Sequence, residues 1–116
     1  RIAMWGVAFK AGTDDTRESP ALRIADLLMQ DGAEIVGYDP EATTTEFTMA
    51  DDPIAAADGA DVLLITTEWP EFLTYDMNRV AQVMRGHRVG DSRNLLDPAV
   101  VRSAGLDYWG LGRPGA

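Results

Sequence analysis

The chain has 116 residues, 46% hydrophobic and 25% charged, the size and balance of one globular domain. Ten Lys and Arg stand against 19 Asp and Glu, and the net charge of -9 disfavours nucleic acid and anionic lipid as general partners. With no Cys and one His, the composition excludes a disulfide scaffold, a thiolate zinc site and a cysteine nucleophile, and argues against a His-based metal cluster.

The chain opens on Arg1 and runs at once into the apolar stretch from Ile2 to Phe9, which reads as a buried strand. That abrupt start reads as a piece of something longer. A polar loop, Lys10 to Glu18, follows. Ser19-Pro20 then supplies an N-cap and a first helical residue, and Leu22, Ala25, Leu28 and Met29 continue at helical spacing as far as Gly32. Residues 34–38 form the second strand, stopped by Asp39-Pro40. Residues 41–51 are polar and Thr-rich, with Phe47 marking a short edge element. Asp52-Pro53 opens a short Ala-rich helix ending near Gly59. Residues 61–66 are nearly all apolar, as in a third strand buried on both faces. Trp69 to Phe72 reads as a loop, residues 76–85 as a helix, and residues 88–91 as a short fourth strand. Asp97-Pro98 opens the last helix, Gly105 ends it, and residues 107–110 make a fifth strand. Residues 113–116 read as a frayed tail. No stretch approaches the roughly 18 apolar residues of a membrane span, and no signal segment leads the chain, so the cytoplasm is the expected location.

Strands alternating with helices imply βαβ units and right-handed crossovers. The expected fold is a single α/β domain over residues 1–116. It has three layers, doubly wound, around a mainly parallel five-stranded sheet in the order 2-1-3-4-5. In such a sheet ligands bind beyond the carboxyl ends of the strands, where strand order reverses. That switch point is served here by residues 9–19, 66–72 and 91–96, which carry Lys10, Arg17 and Arg93. Lys10 is the only Lys in the chain. Arg suits phosphate through its planar fork and Lys through a compact charge. The alternative is that these cations pair with Asp14, Asp15, Glu18 or Asp91 in surface bridges.

The first βα turn runs from Gly6 to Gly12 without the GxGxxG spacing, so the domain alone is not expected to hold a complete NAD. Without those glycines, Asp39 reads as a turn residue rather than a ribose-binding acid. Asp14 and Asp15 read as turn and cap residues rather than a metal or acid–base pair. His87 has a solvated or C-cap role as its default, and Trp69 either stacks on a ligand or covers the sheet edge.

The stretch from Phe9 to Pro20, FKAGTDDTRESP, closely resembles the opening motif of the C-terminal UDP-binding domain of the UDP-glucose/GDP-mannose dehydrogenase family. The likeness continues through residues 38–40, 67–72, 91–98 and 108–113, so it covers nearly the whole chain. Ser92 departs from it, standing where the family more often has Gly. The resemblance implies a Rossmann-like domain of an enzyme that oxidises a nucleotide-sugar alcohol to a carboxylate with two NAD. It implies an N-terminal domain that holds the NAD, a Cys nucleophile and a central dimer-forming helix, all outside this chain, so the chain itself is expected to hold no catalytic residue and to be inactive alone. It further implies that Phe9, Lys10 and Arg93 contact the nucleotide sugar and that Arg17 reaches the NAD. The later motifs look most like UDP-glucose dehydrogenases, with GDP-mannose and UDP-N-acetylmannosamine as alternative substrates. Two rivals come from other classes. A phosphoacceptor receiver domain shares the topology but needs a carboxylate where Thr66 and Thr67 stand, and a non-catalytic interaction domain would bind no nucleotide.

Overall fold

The computed structural model describes residues 1–110. Six strands, all parallel, form one sheet: β1 (Ile2–Trp5), β2 (Ile35–Tyr38), β3 (Thr48–Met49), β4 (Val62–Ile65), β5 (Arg88–Asp91) and β6 (Asp107–Gly110). Their order is β3-β2-β1-β4-β5-β6. The five expected strands therefore lie in the expected order, and the short edge element read at Phe47 is a sixth, two-residue strand, which corrects the count of five. It forms where Phe47 packs over Gly37, a position at which any Cβ would come within 2.7 Å of the ring. Leu111 to Arg113 of the resembling motif, and the expected tail, lie outside the described residues.

Side-chain alternation divides the strands cleanly between two faces. Ala3, Trp5, Val36, Leu63, Ile65, Val89 and Tyr108 point to one face and form the larger core. The helices α2 (Pro53–Ala57), α3 (Met77–Val83) and α4 (Pro98–Ser103) lie on that side. Met4 and Ile35 point to the other face, where Ala21 and Ala25 of α1 (Pro20–Gln30) cover them. All four helices begin as read, with Ser19, Asp52, Asp76 and Asp97 each accepting a backbone N–H at the N-cap.

Trp5 anchors the larger core. Its indole N–H donates to the Pro53 carbonyl at 3.0 Å, and its ring meets Phe72 and Tyr75 at 5.4 and 5.5 Å between centroids. Phe72 arrives on a 3-10 turn, Pro70–Thr74, in the stretch expected to be loop. A second correction concerns the first strand, which ends at Trp5 rather than Phe9. Gly6 there turns to φ +107, and the apolar run continues buried through Ala8 but out of the ladder.

Candidate functional site

The carboxyl ends of β1, β4 and β5 lie side by side, and the loops that leave them are sewn together by buried polar groups. Thr66 and Thr67 follow β4. The Thr66 hydroxyl donates to the Gly6 carbonyl at 2.6 Å and the Thr67 hydroxyl to the Ala8 carbonyl at 2.9 Å. A Cβ on Gly6 would lie 2.5 Å from the Thr67 backbone nitrogen, so only glycine permits this crossing. The Ser19 hydroxyl donates to the Val7 carbonyl at 2.8 Å, tying the start of α1 to the same segment.

Asp39 explains why the first strand stops early. Asp39 is 8% exposed, and one of its carboxylate oxygens accepts the N–H groups of Val7 and Ala8 at 2.8 and 3.0 Å and the Trp69 indole N–H at 3.1 Å. The other oxygen accepts from Glu41 and Ala42 at 2.9 and 2.8 Å. The turn role read from the sequence covers only the second pair. Its larger task is to collect N–H groups from three loops, which occupies both oxygens. The available signal was positional: an acid directly after β2, at the level where neighbouring β1 ends. Trp69 likewise takes the covering role, packed against both cores with its N–H on Asp39.

Held from these sides, the β1 loop thrusts Phe9 and Lys10 into solvent. Phe9 is 45% exposed, a large apolar ring with no core to fill. Lys10 is exposed, and no described side chain bonds its ammonium. Arg17 sits at the far end of the loop in a fork on Asp15, with contacts of 2.8 to 3.2 Å. That hydrogen-bonded guanidinium lowers the Asp15 carboxyl to about 2. Phe9, Asp15, Arg17 and Glu18 line an open cleft of about 440 Å³, within the size range of ligand sites. Beside it lies a second cleft of about 360 Å³, lined by Gly12, Thr13, Asp14, Glu41 and Trp69.

Glu18 adopts φ +55, a left-handed conformation that a side chain rarely takes. It occupies the third position of a turn closed by Ser19 N–H to the Thr16 carbonyl at 3.1 Å. Asn94 is the other non-glycine residue with positive φ among those described, and it too lies on a strand-end loop.

Arg93 follows β5. Its guanidinium pairs with Glu68, which follows β4, and both are partly exposed. The loop that carries it is shaped by Asp91, which is fully buried. Asp91 accepts from the backbone N–H groups of Arg93 and Leu96 at 3.2 and 2.8 Å and from the Tyr108 hydroxyl at 2.8 Å. Ser92, where the resembling family more often has Gly, keeps negative φ and donates its hydroxyl to the Ile65 carbonyl at 2.9 Å. The turn therefore accepts Ser without strain. Of the surface bridges named as the alternative, Arg17 makes one, with Asp15; Arg93 pairs instead with Glu68, and Lys10 with no described side chain.

A further acid, Glu71, accepts from the Tyr38 hydroxyl at 3.2 Å and also from that of Tyr75. Burial, above all, pushes both phenols up from their ordinary range. The trio pins the 3-10 turn to the end of β2. His87 is exposed, 3.4 Å from Asp107. Among the described residues no three His, Asp or Glu side chains gather as a metal site.

The first βα turn does not fit the pyrophosphate of a dinucleotide. Residues 6–19 separate β1 from α1, where such a cradle needs a tight Gly-rich turn into a helix N-terminus. The Val7 and Ala8 amides, which such a cradle would turn on an anion, already serve Asp39.

The family model for the UDP-glucose/GDP-mannose dehydrogenase family, UDP binding domain, matches residues 3–98. The chain belongs to that family. This UDP binding domain is similar to the UDP-glucose 6-dehydrogenase of Pseudomonas aeruginosa, at 38% identity over 99% of the chain and 28% of that enzyme. It is also similar to the UDP-N-acetyl-D-mannosamine dehydrogenase of Pyrococcus horikoshii, at 35% identity over 97% of the chain and 25% of the enzyme. A solved structure of the UDP-D-ManNAc dehydrogenase from that organism superposes with a TM-score of 0.86, at 34% identity, over 99% of this chain and 26% of that one. A UDP-glucose dehydrogenase from Pyrobaculum islandicum gives 0.74 at 32% identity, over 94% and 24%. The domain thus spans about a quarter of the length of these relatives. No helix among the described residues is long and apolar enough to cross a membrane.

Proposed function

We propose that this domain binds the nucleotide part of a UDP-sugar at the carboxyl edge of β1, β4 and β5. The domain would serve a longer NAD-dependent UDP-glucose 6-dehydrogenase that makes UDP-glucuronate. The observation that carries the reading is the placement of Phe9, Lys10 and Arg93 on loops flanking the end of β4, in a chain of net charge -9. Lys10 and Arg93 supply charge-assisted donors to the pyrophosphate or the adjoining sugar, and Phe9 an apolar surface. For Arg93 this requires exchange of Glu68 for the ligand, which costs little at a partly exposed pair. Arg17, with its side chain 89% exposed, reaches toward an NAD held by the rest of the polypeptide. Within the longer enzyme, dimerisation through a central helix and a cytoplasmic location complete the reading. The likeness to UDP-N-acetylmannosamine dehydrogenases makes that sugar the second reading.

Calorimetric titration of UDP, GDP and ADP into the chain tests the proposal. UDP should bind best, and Lys10→Ala and Arg93→Ala should each weaken it by roughly tenfold or more, the worth of one charge-assisted bond. Arg93→Lys should lose most of the same share, because Lys lacks the fork. Unchanged UDP affinity in both Ala variants would reduce the cations to surface charge. Equal binding of all three nucleotides would remove the base preference. In the longer enzyme, Arg17→Ala should weaken NAD more than the nucleotide sugar.

A further inference from the structure

Between the end of β1 and the exposed tip of its loop, every backbone polar group from the Gly6 N–H to the Phe9 N–H is held from outside that segment. The Gly6 N–H donates to the Tyr38 carbonyl at 2.7 Å, and the Gly6 carbonyl accepts the Thr66 hydroxyl. Asp39 takes the N–H groups of Val7 and Ala8, and the Ser19 hydroxyl serves the Val7 carbonyl. The last grip falls on a single peptide unit, the one that joins Ala8 to Phe9. Its carbonyl accepts the Thr67 hydroxyl at 2.9 Å, and its N–H donates to the Asp15 carbonyl at 2.6 Å. Beyond it, Lys10, Ala11 and Gly12 make no backbone hydrogen bond among the described residues. Thr67 itself is buried and wedged against the bare backbone of Gly6, where a Cβ would lie 2.6 Å from its hydroxyl oxygen. The hydroxyl that grips the peptide therefore has little room to turn.

We infer that Thr67 is a positioning residue, whose hydroxyl orients the Ala8–Phe9 peptide and so aims Phe9 and Lys10 at the ligand; this rests on the reading of the strand ends as a nucleotide site. A peptide unit is planar, so holding its carbonyl and its N–H fixes the whole plane. Only the two torsions of Phe9 then separate the fixed plane from Lys10. The Lys10 Cα stands two residues beyond that of Ala8, at most about 7 Å away, so a tilt of about 20° at Ala8 would move it by about 2 Å. That is several times the spread of ordinary hydrogen-bond lengths, about 0.5 Å. Thr67→Val keeps the shape of the side chain and removes the donor. The buried Ala8 carbonyl must then turn to find another partner, and the tip turns with it. Thr66 supplies the comparison. Its hydroxyl grips the buried Gly6 carbonyl at 2.6 Å, but Asp39 and Ser19 take hold of the chain again between that point and the tip. Loss of either hydroxyl leaves one buried carbonyl without its donor, and only the loss at Thr67 reaches Lys10.

The experiment measures UDP affinity by calorimetry, and exchange of the Phe9 N–H with deuterium by NMR, in the chain and in Thr67→Val, Thr66→Val and Thr67→Ser. Both Val variants should lower the melting temperature by similar amounts. Thr67→Val alone should weaken UDP by about tenfold, the worth of one charge-assisted bond, and speed exchange at Phe9 by at least as much. Thr67→Ser, which restores the hydroxyl, should stay within about twofold of the original in both. On a Lys10→Ala background Thr67→Val should cost much less than its full share of affinity, because the group it aims is gone. Should Thr67→Val fail to fold, Thr67→Ala against Thr67→Ser poses the same question. Equal losses of affinity in the two Val variants would overturn the inference, since a general loosening of the domain would then explain both. So would unchanged affinity in Thr67→Val, or unchanged exchange at Phe9. If the original chain binds no UDP, the nucleotide reading sinks, and exchange at Phe9 decides the role of Thr67 by itself: faster in Thr67→Val alone upholds it, and equal in both Val variants overturns it.

Discussion

Replacing Asp39 by Asn removes charge from a carboxylate that gathers five N–H groups while altering almost no volume. The better of two orientations keeps the carbonyl oxygen toward Val7, Ala8 and Trp69. It turns the new amide nitrogen on the N–H groups of Glu41 and Ala42. Glu41 is exposed and can hydrate, whereas Ala42 is buried and its amide loses its partner. An unsatisfied buried N–H costs about 1–3 kcal/mol, and weakening three charge-assisted bonds to neutral ones costs about 1 kcal/mol each at most. The sum is about 1–6 kcal/mol, centred at about 3–4 kcal/mol, a large share of the 5–15 kcal/mol typical of a domain. At about 4 °C per kcal/mol for a domain of this length, the melting temperature should fall by about 12–16 °C at that centre and by at least about 4 °C. Differential scanning calorimetry at neutral pH measures it. Because the lost bonds hold the segment leading to Phe9 and Lys10, UDP affinity should fall too, at temperatures where the variant is still folded. A melting temperature within about 3 °C of the original would refute the reasoning, showing that the loops hold without the carboxylate.

Gly6→Ala places a Cβ against the Thr67 backbone at positive φ, and should destabilise by about 3 kcal/mol or more in urea unfolding. Glu18→Gly relieves a left-handed conformation and should raise stability by about 0.5–1 kcal/mol in the same assay, the relief exceeding the added entropy of the unfolded chain. The Asp15 carboxyl should titrate near 2 by NMR, against 3.8 for an ordinary Asp, and return toward the latter in Arg17→Ala. Its folded value is the depressed one, so the small stabilisation from this exposed pair is present above about pH 4 and disappears as pH falls from 3.8 through about 2.

The sequence by itself determined the helix starts, because Ser19, Asp52, Asp76 and Asp97 act through amides two or three residues away. It also determined the central strands, whose apolar runs can be buried only inside a two-sided parallel sheet, and it placed Lys10, Arg17 and Arg93 on strand-end loops. What only the tertiary structure decided lies at longer range. Val7 and Ala8 look like strand until the carboxylate of Asp39, 31 to 32 positions away in sequence, takes their amides. Strand β3 has two residues and no periodicity of its own, and it exists because Phe47 finds the bare backbone of Gly37. Whether a cation meets a carboxylate also depended on packing. Arg17 turns back to Asp15 within its own loop, Arg93 crosses to Glu68 on the neighbouring strand's loop, and Lys10 meets neither. The exposure of Trp109 was hidden for the same reason: alternation tells which residues share a face, but only the placement of α1 over β1 and β2 shows which half of that face stays bare. Caps and periodicity act within a turn or two of the chain, whereas carboxylate clamps, ion pairs and uncovered faces depend on groups that only folding brings together.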